Sequence, residues 1–121
     1  MTEITTFAHE ARGFFRCEDG ISFFAEFIVH GVRKPFSGRF DHRVIPFDIP
    51  MAILRYDHLD ELYADFRIDV NSHPIVGPSS IRLPLIKREI LKTTRFFIDG
   101  PLARILSEGC IVGGGGSWLL R

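Results

Sequence analysis

The chain holds 121 residues, with fifteen Lys plus Arg balanced by fifteen Asp plus Glu, two cysteines and a mean hydropathy of +0.11. That length fits a single domain spanning residues 1–121, and the absence of a basic excess disfavours nucleic acid as a general partner. Two cysteines exclude a disulfide-stapled scaffold, no apolar run approaches the roughly 20 residues of a membrane-crossing helix, and Met1–Thr6 lacks a leader pattern, so the expectation is a cytoplasmic protein with no membrane partner.

Residues 3–11 fit two templates. Ile4, Phe7, Ala8 and Ala11 share a helical face, yet the segment also extends the strand that follows, and strand is preferred. Arg12–Cys17 and Ile21–His30 flank Glu18-Asp19-Gly20, and Asp-Gly between apolar runs supplies the positive φ angles of a tight hairpin turn. In the second strand Ile21, Phe23, Ala25, Phe27 and Val29 share one wholly apolar face, and Ser22, Phe24, Glu26, Ile28 and His30 share a mixed one. After a basic, turn-rich stretch from Arg33 to Arg39, residues 43–49 and 51–55 read as short strands broken by Pro46 and Pro50. Asp57 then looks like a helix N-cap, followed by Asp60 and Glu61, and the stripe Leu59, Leu62, Tyr63, Phe66 predicts a helix over 57–67.

Residues 69–80 carry the Asn, Ser, Pro and Gly of a loop. Pro84 at a first helical position and the residues Leu85, Ile86, Ile90 and Leu91 predict a helix over 84–96, with a strand over 81–86 as the alternative. Residues 101–108, closed by Gly109, predict a third short helix. The tail runs through four glycines, Gly113 to Gly116, into Ser117-Trp118-Leu119-Leu120. The glycines mark either a close backbone approach or a slack linker, and the preferred reading makes 113–121 a docking tail anchored by Trp118. These elements sum to an α+β fold: an antiparallel sheet built on the long N-terminal hairpin, with two to three helices packed on one face.

Twelve residues are Phe, and eight of them lie between Phe14 and Phe47. Phe has no polar tip, so this much ring surface asks for a core, a second subunit or an apolar ligand. The leading expectation is a non-enzymatic, self-associating protein, a homodimer or other homo-oligomer. It would bind an apolar small molecule or a partner through a Phe-rich sheet face with Phe24, Ile28, His30 and Trp118. A second reading starts from the echo Arg39-Phe-Asp-His42 and Arg55-Tyr-Asp-His58. A ribbon folded near Pro50 would set Asp41 opposite Asp57, and Asp41, His42, Asp57 and His58 could then hold a divalent metal for hydrolysis. A third reading uses the acidic stretch 57–69 and the basic stretch 82–95 as a charge-driven interaction module, an inhibitor or adaptor. No cofactor other than that metal is implied. Neither Cys17 nor Cys110 has a neighbouring histidine or a favourable charge, Ser79, Ser80 and Ser117 lack a nucleophile elbow, and the glycine quartet is not followed by the Lys-Ser/Thr of a phosphate loop.

Overall fold

The computed structural model describes residues 7–89 and 91–119. Ile4, Ile90 and Leu120, which belong to the sequence patterns, lie outside the described residues. The described residues form ten strands: β1 (His9–Cys17), β2 (Ser22–Val29), β3 (Val32–Phe40), β4 (Phe47–Tyr56), β5 (Asp65–Ile68), β6 (Ile75–Val76), β7 (Ser80–Arg88), β8 (Thr93–Pro101), β9 (Cys110–Ile111) and β10 (Gly114–Trp118). Eight of these run in the order β5-β10-β3-β2-β1-β4-β8-β7, and Arg67↔Ile86 with Ile68↔Leu85 returns β7 to β5. Every pairing is antiparallel, so the result is a closed eight-stranded barrel. β5 pairs with the lower half of β7, near Ile86, and β6 with its upper half, near Arg82; β6 also carries β9. Closure removes the unpaired edges that an open sheet would have to protect.

The expected α+β fold is therefore corrected to an all-β one. The N-terminal hairpin stands, since β1 pairs with β2 from Arg12↔Ile28 to Arg16↔Phe24. The helices do not. Residues 57–67 hold only a short 3-10 turn, Leu59–Glu61, before β5 begins. Residues 84–96 take in the end of β7 and the start of β8, and 102–109 carry no regular element. The physical reason is that the helical stripe is the weaker of two patterns. Ile81, Leu83 and Leu85 are buried on alternate positions, as are Thr94, Phe96 and Ile98, and that period of two lets both strands line one lumen. Pro84 fits a strand here because its nitrogen faces the β5 side just past the last β5 pair, where its carbonyl accepts from Asp69 N at 2.9 Å and no ladder bond needs its missing N–H.

The lumen is filled with rings. Phe15, Phe23, Phe27, Phe36, Phe40, Phe47, Phe66 and Phe96 are all buried, so eight of the twelve phenylalanines are sheltered by their own chain. Phe36 is the hub: it meets Trp118 edge-on at 4.8 Å and Phe66 at 5.0 Å, while Phe15 stacks on Phe47 at 5.8 Å. An eight-stranded barrel is about wide enough for side chains to fill. Room for the rings comes from the facing pair Gly38 and Gly116. A Cβ on Gly38 would stand 2.5 Å from Phe23 Cζ, and one on Gly116 3.0 Å from Phe66 Cζ. The outer surface carries charge, including Arg16, Arg33, Arg82, Arg88 and Asp48. That is the inverse of a transmembrane barrel, which turns its apolar side chains outward. No helix among the described residues is long and apolar enough to cross a membrane.

Candidate functional site

Two surfaces carry more than a wall needs. The first is the outside of the hairpin. Alternation along β2 sends Phe23, Ala25, Phe27 and Val29 inward and leaves Phe24 37% and Ile28 48% exposed, with Glu26 between them. Phe14, opposite Glu26 on β1, lies 5.9 Å from Phe24, and the Arg16 guanidinium covers it at 4.6 Å. Ile28 sits between Arg12 on one side and Arg33 on the other, and Arg33 reaches Glu26 at 3.8 Å. Val32, opposite the inward Val29, is exposed at the end of the inner face and does not belong to this strip. The face is thus a row of rings and aliphatic groups with a carboxylate in its middle and guanidiniums along its rim.

His30 lies off this face, in the turn after β2, with a positive φ of 52° and its ring 6.3 Å from His9. Trp118 lies on the opposite side of the wall: it points into the lumen, where it is 4% exposed. Of the four residues assigned to a binding face, the structure brings Phe24 and Ile28 together and separates them from His30 and Trp118.

The second surface is a furrow over β10, the strand between β3 and β5. Gly115 stands opposite Arg39 on one side and Arg67 on the other, so three strands place Arg, Gly and Arg in one outward row. The middle position has no side chain, and the two arginines flank an open groove of about 700 Å³. Arg67 leans across it, with its Nη1 3.6 Å from the point where a Cβ on Gly115 would be. Asp41 closes the upper end and Asp65 the lower. Neither arginine comes within 4.0 Å of a carboxylate oxygen among the described residues. Sequence reasoning named Arg39 and the glycine quartet but not their relation, because β10 meets its partners from the far end of the chain.

The proposed metal centre is overturned. β4 runs antiparallel to β1 and not beside β3, so no ribbon folds at Pro50. Asp41 and His42 follow the upper end of β3, whereas Asp57 and His58 follow the lower end of β4, a full strand length away. Asp57 instead accepts from Ala8 N at 3.0 Å, and His58 N donates to Glu61 at 3.1 Å. Among the described residues no three His, Cys, Asp or Glu side chains gather to hold a metal ion. The acidic and basic stretches of the charged-helix reading are neighbours within this one chain: Arg95 pairs with the buried Asp69 at 3.0 Å, and Lys87 donates to the Tyr63 carbonyl under the Tyr63 ring. A hydrogen bond from Ser72 is the main cause that holds the Asp69 carboxyl below its usual range, and burial is what lowers Lys87.

No protein-family model, no curated protein and no solved structure matches the chain.

Proposed function

We propose that this barrel is a non-catalytic binding protein that pairs with a second copy of itself through the outer face of β1, β2 and β3. The observation that carries this reading is the outer strip of exposed Phe24 and Ile28 and half-buried Phe14, with Glu26 at its centre and Arg12, Arg16 and Arg33 around it. A twofold axis through such a patch makes it self-complementary, since each Glu26 would face the arginines of the other copy while the apolar residues cover one another. Zero formal charge favours the same outcome, because two copies repel each other weakly. The lumen is a poorer host for an apolar small molecule, since a ligand there would have to displace a packed ring.

Sedimentation velocity supplies the test. The native protein is expected to sediment as a dimer and the double variant Phe24→Glu/Ile28→Glu as a folded monomer with an unchanged circular dichroism spectrum. A native monomer at every concentration would reject self-association. If that monomer bound a hydrophobic dye, and the double variant did not, the strip would instead be a small-molecule surface.

A further inference from the structure

The furrow over β10 lies on a different part of the barrel from the hairpin strip. Two arginines line one space from the strands on either side, and the strand between them contributes only Gly115 and Gly116. Guanidinium groups bind anions through directed hydrogen bonds as well as charge, and two of them on opposite sides suit a tetrahedral anion, which can offer separate oxygens to each. A planar carboxylate could also bridge the two, but it offers only two oxygens held in one plane, where a phosphate offers three in different directions. The carboxylates decide the rest of the ligand. Asp41 and Asp65 sit at the two ends of the groove, so a second anion on either side would be repelled, whereas hydroxyl groups could donate to them. That arrangement excludes a polyanion threading the groove. So does the orientation of Phe40 and Phe66, which are buried in the lumen and offer no ring for a base to stack on.

From this geometry we infer a binding site for a phosphorylated polyol. Its phosphate lies between Arg39 and Arg67 above Gly115, and its hydroxyls donate to Asp41 or Asp65. Gly115 is the element that makes the site: in a strand, a side chain there would project into the space the phosphate takes, its Cβ already in contact with Arg67 Nη1 at 3.6 Å.

Calorimetric titration of the full chain with glycerol phosphate, glycerol and inorganic phosphate tests the assignment. Glycerol phosphate is expected to bind with an affinity that falls as salt is added, inorganic phosphate more weakly, and glycerol not at all. Arg39→Gln and Arg67→Gln should each weaken binding about tenfold or more. Gly115→Val should abolish it, and Asp41→Asn should narrow the gap between glycerol phosphate and inorganic phosphate. The two arginine variants change exposed side chains and decide the matter even if Gly115→Val fails to fold. The assignment is overturned if glycerol phosphate gives no binding, if both arginine variants bind as well as the native protein, or if inorganic phosphate binds equally well. None of these outcomes depends on whether the protein dimerises.

Discussion

Cys17 points into the barrel and is fully buried, and that burial, ahead of the charge on Asp19, pushes its thiol up to about 11 from 9.0. The unfolded chain therefore ionises this group first. Its contribution to stability is complete below pH 9 and is lost as pH climbs from 9 towards 11. The urea midpoint is expected to drop across that interval, and Cys17→Ala to shallow the drop; a midpoint as steep in the variant as in the native protein would assign the effect to other groups. At the same scale, a thiol reagent at neutral pH should label the half-buried Cys110 and spare Cys17 until the protein unfolds. Much at this scale is legible in the sequence. The alternation of Phe23, Phe24, Ala25 and Glu26 already says which residues face in and which face out. The place of Trp118 is not: a Trp beyond four glycines reads first as the anchor of a docking tail, and only its pairing with β3 shows it to be a wall residue.

Among the elements, β3 and β10 depend most on their glycines. A Cβ on Gly38 would stand 2.3 Å from the Gly115 carbonyl oxygen as well as against Phe23, so Gly38→Ala must move either a strand or a ring. Overpacking of this kind costs about 1–3 kcal/mol or more, and the thermal midpoint should fall accordingly. Gly31 makes the contrast. It turns the chain between β2 and β3 at a φ of +77°, and no atom lies within 4 Å of where its Cβ would stand, so Gly31→Asn should cost less than about 1 kcal/mol. Equal losses in the two variants would show that the crowding at Gly38 is relieved without added cost. The elements that sequence reading misassigned are the ones whose apolar residues fit both periods. Leu62 and Phe66 are buried, but Leu59 and Tyr63 from the same supposed helical stripe are exposed, and β5 is too short to announce itself. Its neighbours on both sides, β10 and β7, come later in the chain, so nothing local marks it as a strand.

At the level of the whole molecule, closure rests on β10. It bridges β3 and β5, and without it both would present open edges and Phe36, Phe66 and Phe96 would lose their Trp118 neighbour. Deleting residues 113–121 should therefore abolish cooperative unfolding and promote aggregation. A truncated chain that still melts cooperatively, with native β-sheet signal, would mean that this segment docks on a barrel complete without it.

Local pattern was enough to determine the β1–β2 hairpin and the inward and outward faces of β2. Each of these depends on residues within about ten positions of one another, where side-chain period and turn chemistry act directly. The tight Asp19-Gly20 turn is corrected to a four-residue connection, Glu18–Ile21, in which Gly20 and not Asp19 takes a positive φ. Only the tertiary structure decided that the sheet closes, that the rings fill their own barrel, that the two Asp-His pairs stand at opposite ends, and that Arg39 and Arg67 share a furrow. Those outcomes depend on pairings such as Gly115↔Arg39 and Gly115↔Arg67, which join distant parts of the chain. Hydrogen bonds between strands are the same for almost any residue, so the sequence carries no local mark of which strands will meet.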